Sequence, residues 1–229
     1  MTDFYVHEDK LFVSVDCIIL GFRENDIHVL IIKRKFEPLK GERSLMGGFI
    51  RQNENLSDTV ARVVSEYTGI DNVYMELVGT YGDINRDIGE RVVSIAYFAL
   101  IDMKMFDEKL CEKHNAQWIE VENVGPLIFD HNQMLHDTTK ILKRQTATQP
   151  IGFNLLPEKF TLPQLQTLYE AIHQRTLDKR NFRKKILEMD ILEKLDEKDK
   201  SSSKRGAFYY KFNKDKYEEL RHNGFYFSL

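Results

Sequence analysis

The densest group of chemically active side chains lies at residues 179–189, KRNFRKKILEM. At about 100° per residue, Phe182, Ile186 and Met189 fall on one side of a helix and form its core-facing stripe. Lys179 opens that helix, Arg180, Arg183 and Lys184 project from its other side, and Asn181 stands at the edge. Arginine bridges guanine edges or grips phosphate, lysine neutralises phosphate and asparagine pairs with adenine, so this face suits duplex DNA. Lys204 and Arg205 follow at the tip of a basic loop, EKDKSSSKRG, where they would meet the adjacent backbone. Thr161 and Gln164, at the start of the preceding helix, stand where phosphate is commonly held. The competing account is a solvated charged face, which fits Lys185 best. It fits Arg180, Arg183 and Lys184 less well, because a preceding helix, a tight turn and a basic loop all agree with a DNA reader. The acidic tract 193–199 counts against DNA binding unless it faces away.

A second group spans residues 48–70, GFIRQNENLSDTVARVVSEYTGI. Gly48, Glu54, Arg62, Val64, Glu66, Gly69 and Ile70 stand in the register of the Nudix box, which this segment resembles over 23 residues. The upstream LMGGF is similar to that family's Leu-Pro-Gly-Gly, with Met46 in place of proline. Nudix hydrolases hold a divalent cation with clustered helix glutamates and use it to polarise a diphosphate and activate water. Two of the three glutamates of that cluster are Val63 and Tyr67 here, and neither carries the charge a hard cation needs. The resemblance therefore implies a Nudix-like fold without hydrolysis, metal or cofactor. Glu66 would otherwise form an i,i+4 ion pair with Arg62, and Val63 would join the helix core.

These residues need a scaffold. Residues 11–22 and 27–33 are β-branched runs around the polar turn Arg23-Glu24-Asn25-Asp26 and read as a hairpin or meander. Residues 73–81 and 91–101 are two more strands, and 116–121 a short fifth. Leu56, Val60, Val63, Val64 and Tyr67 recur at helical spacing over 56–67. Asp130 is placed to N-cap a helix over 131–146. The proline-bearing stretch TATQPIGFNLLPEKFTLP then breaks regular structure as an apolar, packed connector. Leu162, Leu165, Leu168, Tyr169 and Ile172 form a helix stripe over 162–173, Asp178 caps the basic helix after a short turn, and 191–195 and 208–212 pair as a hairpin. Helix, turn, helix and basic hairpin make a winged helix. The expected fold class is α+β: a Nudix-like mixed sheet with helices over residues 1–148, then a winged helix-turn-helix over 149–229.

Composition agrees. The 229 residues are 42% hydrophobic and 11% aromatic, enough for sizeable cores. Two cysteines, Cys17 and Cys111, allow neither a disulfide framework nor a cysteine zinc cage, and both read as reduced core residues. No secretory leader is apparent and no apolar run approaches the ~20 residues that span a bilayer, so the expectation is a cytoplasmic protein without membrane partners. Residues 1–150 carry net charge −7 and residues 151–229 carry +4, an asymmetry that hints at a nucleic-acid-binding appendage.

A degenerate Nudix domain followed by a winged helix resembles the Nudix-related transcriptional regulators. GTYGDINRDIGERVVSIAYFAL (79–100) is similar to that family's strand-turn-strand at the ligand cleft, and PIGFNLLPEKFTLPQLQTLYEAI…LDKRNFRKKIL to its connector and helix-turn-helix. The resemblance implies a homodimeric regulator, expected to be a repressor, that grips a palindromic operator and senses a small effector. Branches of the family use ADP-ribose-type ligands or L-arabinose. The acidic domain and Tyr67 tilt the expectation to the pentose and its arabinose-responsive branch, since a neutral sugar wants paired donors and acceptors beside an aromatic face. Candidate effector-binding residues are Lys35, Glu42, Arg43, Glu66, Tyr67, Asp83, Arg86, Asp87 and Arg91, each of which is otherwise a surface charge or core residue. His131 and His136 share no helical face and suggest no metal site. The alternative functions are a Nudix-type nucleoside-diphosphate-derivative hydrolase with a regulatory C-terminal module, or a protein-docking adaptor.

Overall fold

A computed structural model describes residues 7–106, 108–200 and 205–229. The first strand, β1 (Phe12–Arg23), is the spine of a seven-stranded mixed sheet. Its carboxyl half pairs antiparallel with β2 (Asp26–Lys33) across the expected hairpin. β3 (Arg43–Ser44) lies outside β2, and β4 (Met46–Phe49) runs antiparallel to the start of β1. β5 (Tyr74–Tyr81) and β6 (Val92–Ile101) pair antiparallel, and β6 runs parallel to β1 from Phe12 beside Val92 to Gly21 beside Ile101. β7 (Ala116–Glu120) completes the sheet against β2.

Successive strand residues alternate between two cores. Val15, Cys17 and Ile19 of β1 face α1 (Leu56–Thr68), meeting Val60, Val63 and Val64. Ile18 and Leu20 face the other way, toward α3 (His131–Thr148), where Met134, Leu135 and Leu142 cover them. That second core does not stop at the end of α3. A 3-10 turn over Pro150–Leu155 buries Ile151, Phe153 and Leu155, and the same apolar cluster continues into α4 (Leu162–His173) and α5 (Lys179–Glu188). The wing is a three-stranded sheet in the order β8 (Phe160–Thr161), β10 (Ala207–Phe212), β9 (Leu192–Asp199).

Several elements depart from the sequence expectation. β3 and β4 were not expected, because Arg43–Ser44 is two residues long and Met46–Phe49 carries Gly47 and Gly48 in place of a strand pattern. Gly47 is needed there: a Cβ would stand 2.5 Å from the Asp16 carboxylate and 2.8 Å from the Val15 carbonyl. Two short helices, α2 (Glu108–His114) and α6 (Lys214–His222), were also missed, and β9 runs four residues beyond the expected 195. Cys17 is fully buried as expected, whereas Cys111 on α2 is only half-buried. Among the described residues, no helix is long and apolar enough to cross a membrane.

Candidate effector cleft and nucleic-acid interface

The box folds as a scaffold. Gly69 ends α1 in the left-handed region (φ 72°), its N–H donating to the Ser65 carbonyl. Arg62 does not pair with Glu66 as the spacing suggested. Its Nε and Nη2 donate to Glu54 at 2.7 and 2.9 Å, and Nη2 also reaches the Phe49 carbonyl at 3.2 Å. Thr59 donates to the same carboxylate at 3.0 Å. The Arg62 guanidinium, with Thr59 and the Arg51 amide, outweighs the cost of desolvation and holds the Glu54 carboxyl down to about 2. Of the box carboxylates, only Glu66 is left exposed and free of a side-chain partner. Val63 is buried in the core, and the Tyr67 ring packs on His114 with centroids 4.7 Å apart. A divalent cation does not fit this set: one ligand is consumed by arginine and two positions carry no carboxylate. Among the described residues no group of three or more His, Cys, Asp or Glu could hold a metal.

Beside the box lies a cleft of about 360 Å³, reached from the loop after β2 and the turn between β5 and β6. Its floor is a buried polar network centred on Asp16, the one acidic residue of β1. Ser94 Oγ donates to the Asp16 carboxylate at 2.5 Å, and Arg86 Nη2 stands 3.5 Å away. Arg86 also grips Asp130 with two parallel bonds, Nε at 2.9 Å and Nη2 at 2.8 Å. Burial works against the guanidinium charge, and Asp130 more than offsets it, so the Arg86 pKa lies above its ordinary value. His131 Nδ1 accepts the Leu45 N–H at 3.1 Å, so its ring proton is assigned to Nε2, which faces Asp16 Oδ1 at 3.5 Å. Burial lowers the His131 pKa, with Asp16 opposing, and the ring is neutral.

The walls are aromatic. Arg34 Nε donates to the Pro38 carbonyl at 2.9 Å, and its guanidinium lies 4.4 Å from the Phe36 ring centroid and 5.9 Å from that of Phe129. Its Nη atoms have no partner among the described residues, so Arg34 is the cleft's available cation.

Of the expected effector residues, the structure brings Tyr67, Arg86 and Asp87 to this cleft. Asp83 borders an adjoining hollow that shares Arg86 and Phe129. Glu42 and Arg43 line a separate depression, and Arg43 is tied to the Val124 carbonyl at 2.9 Å. Lys35 is exposed and donates to the Lys113 carbonyl. Arg91 braces the β5–β6 turn by donating to the carbonyls of Gly82 and Asp83 at 3.0 and 3.2 Å. Glu66 is exposed outside the cleft lining. Asp16, Arg34, Phe36, Phe129 and His131 were missed. The buried acid within VSVDCIIL was the one legible signal, because nothing in IIKRKFEP separates Arg34 from its lysine neighbours. Asp130 stands at the N-cap of α3 as expected, but its side chain makes no cap bond because Arg86 holds it.

In the winged helix, the Asp178 carboxylate accepts the Asn181 N–H at 2.8 Å and starts α5. The turn before it is fastened by α4: Glu170 accepts the Leu177 N–H at 2.8 Å and Gln166 donates to the Leu177 carbonyl at 2.9 Å. Phe182 and Ile186 are buried, while Lys179, Arg180, Asn181, Arg183, Lys184 and Lys185 are exposed. Lys184 approaches Glu188 at 3.8 Å; Arg180 and Arg183 make no ion pair among the described residues. Thr161 is buried and Gln164 half-buried, each completing the other's capping box at α4. Their side chains thus already serve the helix start. Arg205 is exposed beside the wing turn, and Lys204 lies outside the described residues. In the acidic tract, Glu197 faces Lys159 at 2.7 Å.

Two family models match this chain: the NUDIX domain over residues 10–138 and the NrtR DNA-binding winged helix domain over residues 152–212. The ADPR responsive transcriptional repressor NtrR of Acinetobacter baylyi is 32% identical over 210 residues, covering 90% of this chain and 84% of that protein. The chain belongs to the NrtR-type, Nudix-related transcriptional regulators. The NrtR architecture extends over nearly all of it. The crystal structure of Shewanella oneidensis NrtR complexed with a 27mer DNA superposes with a TM-score of 0.81 at 26% identity, covering 87% of this chain and 93% of that one. The Nudix part alone is also 33% identical over 131 residues to the ADP-ribose pyrophosphatase of Methanocaldococcus jannaschii, 56% of this chain and 75% of that enzyme.

Proposed function

We propose that this chain is a DNA-binding transcriptional repressor whose Nudix-type domain, residues 1–148, binds an ADP-ribose-type nucleotide and thereby releases the winged helix, residues 149–229, from its operator. The observation that carries the reading is the division of α5. Its apolar side is locked by Phe182 and Ile186, while on the other Arg180 and Arg183 carry no ion pair among the described residues and Lys184 has only an exposed i,i+4 contact with Glu188 at 3.8 Å. A reading helix needs that arrangement, since a cation tied up in the fold cannot displace counterions from phosphate.

The effector assignment replaces the L-arabinose suggested by the acidic charge of the domain. The Acinetobacter baylyi relative is named for its response to ADPR and the Methanocaldococcus jannaschii relative for action on ADP-ribose. The cleft supplies what such a ligand wants: Phe36 and Phe129 offer aromatic faces to a base, and the free Nη atoms of Arg34 offer charge-assisted bonds to a diphosphate. Binding there proceeds without hydrolysis, because Glu54 is committed to Arg62 and Glu66 alone cannot organise a cation. A homodimer on a palindromic operator completes the proposal. Its support is an exposed apolar ridge of Leu11, Phe12, Val13 and Phe49, with the Phe12 and Phe49 rings 5.5 Å apart, suited to a second copy.

The test is a mobility-shift titration with duplex DNA carrying an inverted repeat, repeated with ADP-ribose and with L-arabinose. Retarded DNA released by ADP-ribose alone is expected. Turnover of ADP-ribose with Mg²⁺ or Mn²⁺, abolished by Glu66→Gln, would instead identify a hydrolase, and absence of DNA retardation an adaptor.

A further inference from the structure

Asp130 occupies the N-cap position of α3, yet its backbone is at φ −98° and ψ 17° and its carboxylate bonds no helix amide. An aspartate at an N-cap ordinarily has an extended backbone and accepts the N–H of the second or third helical residue. Here the carboxylate is turned away and held by both bonds from Arg86, a residue of the cleft lining whose side chain is almost fully buried. The same residue thus has two mutually exclusive partners, a cleft cation and its own helix. Moving from one to the other requires ψ to swing into the extended region, which displaces the first turn of α3.

At its other end α3 is fastened to the DNA-binding part. Thr146 Oγ1 lies 3.2 Å from His173 Nε2, and Lys143 donates to the Gln174 side chain. Gln174 in turn donates to Glu122 of the Nudix part. Gln174 is the left-handed C-cap of α4 (φ 51°), four residues before the Asp178 cap of the reading helix. With 18 residues, α3 spans about 27 Å and joins the cleft floor to the turn that aims α5.

We propose that Asp130 is a two-position switch: held by Arg86 it keeps α3 and the reading helix in the DNA-binding arrangement, and an anionic effector that engages Arg86 frees it to cap α3 and shift the helix-turn-helix. This rests on the ADP-ribose reading above and deepens it by naming the element that converts occupancy into release. Asp130 acts through α3 and is a positioning residue. A ligand shifts such an equilibrium only through different affinities for the two arrangements, and competition for Arg86 supplies that difference.

Asp130→Asn separates the two partners, because asparagine still caps but loses the charge that holds Arg86. The full-length variant, checked for thermal unfolding, should bind operator DNA about tenfold more weakly than the parent without effector, bind ADP-ribose at least as tightly, and show little further release on adding it. A variant with parental DNA affinity and full ADP-ribose-driven release overturns the switch. If Asp130→Asn does not fold, the parent protein decides. Hydrogen exchange at the backbone amides of Asn132 and Gln133 should slow when ADP-ribose saturates the cleft, and unchanged exchange with DNA release intact overturns the switch alone. If the parent neither binds nor responds to ADP-ribose by calorimetry, the effector reading fails and the switch falls with it.

Discussion

Lys184→Ala tests the assignment of α5 quantitatively. The side chain is exposed, and its one ionic partner among the described residues, Glu188 at 3.8 Å on the same exposed face, is an i,i+4 pair. Such pairs contribute about 0.5 kcal/mol or less, so the fold should be almost unaffected. The DNA affinity should not be. Each phosphate neutralised adds about 0.9 to the negative slope of log K against log salt. If Arg180, Arg183 and Lys184 each meet one phosphate and two chains share an operator, the slope is about −5.4 and affinity falls about 1,800-fold between 50 and 200 mM salt. Without Lys184 in either chain the slope becomes about −3.6 and the same salt step costs about 150-fold. Fluorescence anisotropy on a labelled operator duplex across that salt range reads the slope directly. A loss near 0.9 in place of 1.8 would indicate one chain per site. A slope that does not change removes Lys184 from the interface, and with it the orientation assigned to α5.

Three further outcomes follow from the same geometry. Ile186→Ala, at a fully buried position beneath the basic face, should cost about 2–5 kcal/mol in denaturant unfolding and abolish DNA binding by unseating α5; a loss under ~1 kcal/mol would mean the helix is not anchored there. Arg34→Ala should weaken ADP-ribose binding at least about tenfold by calorimetry with little change in melting temperature, since one charge-assisted hydrogen bond contributes about 1.5–3 kcal/mol. His131 is buried neutral, its pKa lowered by burial and by Arg86 and Arg34 against the pull of Asp16 and Asp130. The unfolded chain therefore takes up the proton first, and stability should fall as pH drops below about 6.5 toward the lower folded value. His114 and His173 are lowered by burial too, so His131→Gln should remove only part of that acid slope in denaturant titrations at pH 7 and pH 5; an unchanged slope would place its titration elsewhere.

The sequence carried the architecture where patterns were long and left out what depended on a few contacts. Alternation in β1, β2 and β6 and the stripes of α1, α4 and α5 follow from burying one face, so their residues announce it. In β4, Gly47 lets the backbone pass over Asp16 and Gly48 lies against Val63, and a glycine pair carries no periodicity. Within the cleft the difficulty is of another kind. Arg86 and Asp87 were legible from the resemblance of the β5–β6 turn, whereas Asp16 and His131 become polar-site residues only when β1, β6 and the start of α3 meet. Lys35 and Arg34 differ by one position, and the strand-to-loop geometry after β2 decides that Arg34 lies between two rings while Lys35 turns outward.

The persistence of the box without its acidic cluster has a mechanical explanation. Glu54 and Arg62 tie the strand-loop to the helix through two side-chain bonds, Thr59 joins the same carboxylate, and Gly69 ends α1 in a conformation that other residues adopt only with strain. These residues hold one wall of the cleft in place and are useful whatever the cleft does. At the two box positions that carry no carboxylate, Val63 packs into the core and the Tyr67 ring packs at a tilt against His114 at the cleft's edge. A carboxylate cluster would also repel a diphosphate in the absence of metal, whereas the Arg34 guanidinium would attract one. On the function proposed above, a sensor on this scaffold would carry a fixed cation, Arg34, where a hydrolase binds one, together with a helix, α3, that runs from the cleft floor to the turn before α5.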